Sequence, residues 1–411
     1  MGLKHLRLAI LLTQLAILVH ATPLDSHASS EGRGLWDILL RRDARPSQFS
    51  PKVFIISMFD PEAQIWYEAA GMPGSFGNLL AVNITVPGLS PRYPQVHCIA
   101  DGSVCQVTTC EAEINAASTL TALTLSTLFN LKKTYFLIGG IGGINPKQGT
   151  LADVAFPKYA VQVALQYEID AREIPQDFST GYFSFGTDAP NEYPLSIYGT
   201  EVFEVNEALR DIAVSYARTV KLNDSTDAIA YRTSYNSDDQ SYNKALRTPS
   251  IITCDVATSD AWFSGRMLGE AFENTTTLLT NGSATYCITA MEDNATLAAL
   301  LRASMRSTVD FSRIIIMRSG SNFDRQPPNS SAIHNLIYAN QGGFVPAIEN
   351  LFIAGNPIVK GILADWTLSF EKGIAPTNYV GDIFRTLGGN PDFGPGEMEF
   401  GVVIGPDFEK L

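Results

Sequence analysis

The sequence predicts an α/β fold, with a largely parallel or mixed sheet and helices outside it. Three observations carry the expectation. Short apolar, β-rich runs recur, as in KVFIISM (52–58), TYFLIGGIGG (134–143) and RIIIM (313–317). Segments of helical character alternate with them. The runs end in glycine or polar residues, which is where open α/β sheets gather ligand contacts.

In chain order, order begins at the 52–58 strand. FDPEAQIWYEAAG follows it, with Asp60 or Pro61 starting a helix. LAVNITV (80–86) and QVHCIA (95–100) read as strands, and Glu111 to Phe129 as an Ala- and Leu-rich helix. Leucines 120, 123 and 128 form its candidate buried stripe. The strand TYFLIGGIGG then ends in a glycine turn. Residues 160–250 change character, being rich in Tyr, Asp, Asn and Ser around one helical segment at 204–220. They read as an insertion or cap, or as part of one larger domain. The core pattern resumes at SIITCDVATSDAWFSG (250–265), with a helix from Gly265 to about Phe272. TYCITAMEDNATLAALLR (285–302) is a strand running into a helix, and SRIIIMRSGSNFDR (312–325) a strand with a polar end. An apolar helix near 358–370 lies in the Gly/Pro-rich tail.

The N-terminus predicts export. Lys4, His5 and Arg7 precede an apolar stretch from Leu8 to Val19, and Ala21 follows as a small residue. Charged, apolar, small is the order of a signal peptide, and the stretch is short for a bilayer span. Residues 1–21 are thus expected to be removed, 22–50 to be a flexible leader, and 51–411 to be the functional domain. Uncleaved, the same segment would be an anchor. Six Asn-x-Ser/Thr sites, at Asn83, Asn223, Asn274, Asn281, Asn294 and Asn329, support secretion or a cell-surface position with glycosylation at some of them. Five cysteines follow the signal; Cys98 is a candidate partner for Cys105 or Cys110, and Cys254 for Cys287. No other segment is long and apolar enough to span a bilayer. The net charge of -13 argues against a nucleic-acid partner. No CxxC or HExxH motif is present, so neither metal nor cofactor is expected.

Candidate chemistry sits at the predicted strand ends. Asp60 and Glu62 can orient water or a sugar, or cap their helix. The glycines Gly139, Gly140, Gly142 and Gly143 allow backbone to approach a ligand, or form a core turn. The stretch Thr258 to Asp260 precedes Trp262 and Phe263, which are stacking walls or core. Glu292 after Met291 can accept hydrogen bonds from a sugar diol, or serve as a first-turn acid. Asn322 and Asp324 can bond a purine ring nitrogen, or cap a turn. His97 and His334 read as structural. No Gly-x-Ser-x-Gly elbow is present.

Together KVFIISMFDPEAQIW, YFLIGGIGGINPKQGTLADVAFP, CDVATSDAWFSGR, AMEDNATLAAL and IIIMRSGSNFDRQPP resemble the fungal purine nucleoside permease family. That family is similar to the nucleoside phosphorylase and methylthioadenosine nucleosidase superfamily. The resemblance implies a three-layer nucleoside phosphorylase-like fold: a central mixed sheet flanked by helices, plus an insertion. It implies that Gly139 to Gly143 lie beside a nucleoside and that Met291-Glu292 hold ribose. Arg318, Ser321 and Asn322 match the superfamily's Arg…Ser-Asp segment, with Asn322 standing where nucleosidases use aspartate. Asp324 is then the alternative acid. Trp262 or Phe263 flanks the base together with the Asp260 strand end, and Glu62, or Asp60, activates water.

Phosphorolysis needs a cationic phosphate site. The stretch between Tyr93 and Leu131 has no Arg or Lys, leaving Arg92 or an insertion residue as substitutes. The expectation is therefore a secreted or cell-surface purine nucleosidase that hydrolyses the N-glycosidic bond. The alternatives are a nucleoside-binding component of uptake, acting with a membrane partner, and a phosphate-dependent phosphorylase. The expected ligand is a purine nucleoside or free base, and a homo-oligomer is compatible with the superfamily.

Overall fold

The computed structural model describes residues 48–394, except 69–71, 73 and 239. The expected signal peptide at 1–21, and the leader up to residue 47, lie outside the described residues.

The strands are β1 (Val53–Ser57), β2 (Val82–Thr85), β3 (Gln95–Cys98), β4 (Val104–Thr108), β5 (Tyr135–Ile144), β6 (Val154–Ala155) and β7 (Tyr159–Gln162). The short β8 (Tyr167–Glu168) and β9 (Tyr182–Phe183) pair only with each other. β10 (Val202–Glu204), β11 (Ile251–Ile252), β12 (Asp255–Thr258), β13 (Tyr286–Ala290), β14 (Ile314–Phe323) and β15 (Gly381–Asp382) complete the set. The helices are α1 (Asp60–Glu68), α2 (Glu113–Leu125), α3 (Glu207–Ala217), α4 (Thr226–Arg232), α5 (Arg266–Leu279), α6 (Asp293–Met305) and α7 (Phe344–Ala364).

All strands but β8 and β9 join one sheet, whose main path runs β15-β10-β7-β12-β13-β5-β1-β4-β3-β2. It is mixed. β1 pairs in parallel with β4 and β5, and β14 in parallel with β5, while the β2-β3-β4 and β15-β10-β7 edges are antiparallel. The alternation of β1 explains the layering. Phe54 and Ile56 pack with Leu120 and Leu123 of α2 and Leu297 and Leu300 of α6. Val53 and Ile55 pack on the other face with Trp66 of α1, Leu209 of α3 and Leu351 and Ile358 of α7. A strand covered on both sides must be apolar at every position, which is why VFII reads as a continuous run. The expected α/β architecture, a central mixed sheet flanked by helices, is the one found.

Several boundaries differ from the sequence expectation. α7 begins at Phe344 and passes through Pro357, so the helix expected near 358–370 is its second half followed by a π-turn at Trp366–Phe370. Proline inside a helix removes a backbone hydrogen bond, yet an apolar face with ten buried residues carries the helix through it. α5 extends to Leu279, beyond the expected end at Phe272, and α2 begins at Glu113 rather than Glu111. Within 160–250, β7 and β10 are strands of the main sheet, and α3 covers one of its faces. Cys98 bonds Cys105, Cys254 bonds Cys287, and Cys110 is free. Among the described residues no helix is long and apolar enough to cross a membrane.

Candidate active site

The C-terminal ends of β1, β5, β12, β13 and β14 open into one cavity of about 750 Å³. Glu62 projects into it from α1, whose first turn starts with Asp60 and Pro61. Proline at that position has no N–H to lose and a φ already set for helix. Glu62 is buried. Its Oε2 accepts the Met58 N–H at 2.8 Å and its Oε1 the Ile141 N–H at 2.7 Å. Burial pushes its carboxyl up to about 8, against the lowering effects of nearby Arg318 and the two N–H bonds, while Glu292 adds to the rise.

Glu292 occupies the turn between β13 and α6 and lines the same cavity. Its Oε1 accepts the Ala112 N–H at 3.1 Å, and burial raises its pKa against the pull of Arg318. Arg318 reaches over from β14. Its Nε and Nη2 both donate to Asp293, the former at 3.2 Å; Nη2 also approaches Glu292 at 3.4 Å, and Nη1 donates to the Ile141 carbonyl at 3.2 Å. One guanidinium thus faces a buried cluster of Glu62, Glu292 and Asp293.

The glycine run has distinct tasks. Gly142 and Gly143 line the cavity. A Cβ on Gly142 would collide with the Thr289 carbonyl, and Gly143 N–H donates to Thr289 Oγ1 at 2.7 Å. Gly140 lies behind the cluster, where a Cβ would meet Arg318 Nη1 and stand 2.8 Å from Glu62 Oε1. Gly139 sits deeper, against Met317 and Trp66.

β14 shifts register between Gly320 and Asn322. Such a bulge interrupts the in-out alternation, and both Ser321 and Asn322 line the cavity. Ser321 Oγ lies 3.0 Å from Asn322 Oδ1 and 3.2 Å from the Gly142 carbonyl. Phe263 forms a wall, edge-on to Phe272 at 4.6 Å, while Trp262 stands 68% exposed at the mouth. Met291 also lines the cavity.

Three of the acidic sequence candidates lie elsewhere. Asp60 is exposed, in an ion pair with Arg92 at 2.7 Å. Asp260 accepts the Glu113 N–H at 2.8 Å, holding the start of α2 rather than lining the cavity. Asp324 is buried and turned away: both oxygens take Arg325 donors at 2.8 Å, and Tyr286 Oη donates to it at 2.5 Å. Arg325 continues to Glu273 at 2.7 Å, so Asp324 belongs to an internal charge network.

The opposite wall was not named from the sequence. Asn335, Gln341 and Phe344 form it with Ser225 and Asp227 from the 160–250 segment. Gln341 Oε1 accepts the Phe323 N–H at 2.7 Å, fixing this wall to the end of β14. Ser225 Oγ, the N-cap of α4, donates to the Gly342 carbonyl at 2.7 Å, and Asn340 donates to Asp227 at 2.9 Å. The Ser-Thr-Asp start of α4 was a readable helix signal, but nothing local placed it at a cavity.

Convergent strand ends, a cavity of this size and buried carboxylates define an α/β protein with a candidate small-molecule site. The chain belongs to the purine nucleoside permease (NUP) family, whose profile matches residues 50–375. A purine nucleoside permease of Candida albicans is 48% identical over 352 residues, covering 84% of each chain. A probable purine nucleoside permease of Schizosaccharomyces pombe is 41% identical over 331 residues, 78% of this chain and 91% of that one. Among solved structures, the 5'-methylthioadenosine/S-adenosylhomocysteine nucleosidase of Neisseria meningitidis aligns at 12% identity and a TM-score of 0.45, over 76% of this chain and 99% of that one. The futalosine hydrolase of Helicobacter pylori aligns at 13% identity and a TM-score of 0.41, over 74% and 97%.

Proposed function

We propose that the cavity binds a purine nucleoside and that the protein hydrolyses its N-glycosidic bond. The observation that carries this reading is the placement of buried Glu62 and Glu292 in one cavity with Asn322. The nucleoside itself comes from the relatives, which are named for it. Glu292 accepts hydrogen bonds from ribose hydroxyls, Asn322 bonds the purine edge, and Phe263 and Trp262 flank the ring. Met291, Ser321 and the Gly142-Gly143 backbone complete the pocket. Water oxygen bonds to C1′ as the C1′–N9 bond breaks, and that electron pair leaves with the purine. The water proton passes to ionised Glu62, and the departing base takes a proton from solvent.

Charge favours water over phosphate as the acceptor. Beside the proton-holding Glu62, the described cavity lining carries Glu111, Asp227 and Glu292 against one cation, Arg318, which is already paired. Arg92 is engaged by Asp60. Such a lining repels an anion. We further propose that the chain is exported through residues 1–21, and its two disulfides suit an oxidising compartment. A second reading, nucleoside capture for uptake, is favoured by the name permease carried by the relatives.

Incubating the protein with inosine or adenosine, with and without phosphate, separates the readings. Free base and ribose without phosphate support hydrolysis. Ribose 1-phosphate formed only with phosphate makes it a phosphorylase, and tight binding without turnover makes it a capture protein.

A further inference from the structure

Asp293 follows Glu292 as the first residue of α6 and is fully buried. Its two oxygens take Nε and Nη2 of Arg318 side-on, whereas the Glu292 contact to the same guanidinium is longer, at 3.4 Å. Arg318 Nη1 is spent on the Ile141 carbonyl. Among the described residues the Glu62 carboxylate accepts only from the Met58 and Ile141 N–H groups, although Glu62 Oε1 and Arg318 Nη1 both border the space above Gly140. The cation is therefore next to Glu62 but committed to another acid.

We propose that Asp293 is a positioning residue: by holding Arg318 side-on it withholds the guanidinium from Glu62 and thereby sets the pH range in which Glu62 ionises. The charged groups around Glu62 are Arg318 from β14 and Glu292 and Asp293 at the start of α6. Glu111, after β4, lines the same cavity, and Asp60 on α1 is exposed with Arg92. Two buried carboxylates and one guanidinium already balance beyond neutrality, so a third buried acid retains its proton unless the cation turns to it. The kinetic consequence rests on the hydrolytic reading above; the ionisation itself does not.

The test is a carboxyl-carbon NMR titration of the full chain without nucleoside, with the Glu62 signal identified by its loss in Glu62→Gln. The wild-type midpoint is expected near 8. Asp293→Asn keeps the shape and removes the charge, so the midpoint should fall by about 1 pH unit or more. Asp293→Glu should restore it. An unchanged midpoint in a folded Asp293→Asn protein overturns the proposal. A second measurement needs no variant. The Arg318 Nε–H signal of the wild type should stay fixed as Glu62 titrates, and a shift that tracks Glu62 overturns the proposal. If the wild type never releases base, the hydrolytic reading fails while both titrations still decide this one.

Discussion

Glu62 Oε1 accepts the Ile141 N–H at 2.7 Å, so one carboxylate joins the first helix to the glycine strand. That bond holds Glu62 in the cavity in either protonation state. Glu62→Gln keeps the size and can still accept the Met58 or Ile141 N–H, but it cannot take a proton. We expect kcat for base release to fall about 100-fold or more, with nucleoside Kd changed little. The wild-type rate should climb as pH rises towards about 8, where Glu62 ionises. Steady-state kinetics across pH 6 to about 9 check both.

Burial also raises Asp153 to about 6 and Glu204 to about 7. With Glu62, these groups bind protons more tightly folded than unfolded. Their contribution is fully present below the unfolded values and is lost as pH rises through 6 to 8. Tm should therefore decline over that window in a scanning calorimeter, and Glu62→Gln should flatten its upper end. A Tm that rises throughout would contradict the assignment.

The glycines should differ. Gly142→Ala drives a Cβ into the Thr289 carbonyl, which cannot move without the sheet, and Gly140→Ala drives one between Arg318 and Glu62. Gly139→Ala meets Met317 Cε at 3.4 Å, an ordinary contact. We expect Gly142→Ala to lose the most stability, Gly140→Ala to lose activity beyond its stability cost, and Gly139→Ala to be tolerated. Thermal melts and turnover of the three variants order them.

Asn322→Ala and Asp324→Ala should separate chemistry from stability. Asn322 lines the cavity, and its loss should lower kcat about 100-fold with little change in Tm. Asp324→Ala leaves Arg325 buried with Glu273 alone, at a cost of about 3–5 kcal/mol. Denaturant melts and kinetics of both variants distinguish the roles; the reverse pattern would move the base contact to Asp324.

Asn294 carries a glycosylation motif but is buried, donating to the Thr200 carbonyl at 2.7 Å. Asn83, Asn223, Asn274, Asn281 and Asn329 are exposed. Peptide mass spectrometry of protein passed through a secretory host should find Asn294 unmodified, with any glycan on the other five. Asn294→Ala should cost about 1–3 kcal/mol.

The strands and their polar ends were legible because they depend on local signals: an apolar run such as VFII, a glycine where backbones meet, an acid after a strand. Glu62, Glu292, Arg318 and Asn322 fall in such places. Asn335, Gln341 and Asp227 were illegible for the converse reason. They lie in polar segments without periodicity, and only contacts such as Gln341 with Phe323 bring them to the cavity. Asp293 carries no local signal of its own, since its partner Arg318 lies 25 residues on. Asp324 stood next to the right positions in sequence, but its side chain points to Arg325.

Hydrolysis is tested most directly by incubating the protein with a purine nucleoside in phosphate-free buffer made with oxygen-18 water. The products are resolved by mass spectrometry. The geometry of Glu62 predicts free purine and ribose carrying one oxygen-18 at C1. A bound but intact nucleoside, or base release only when phosphate is restored, would contradict it.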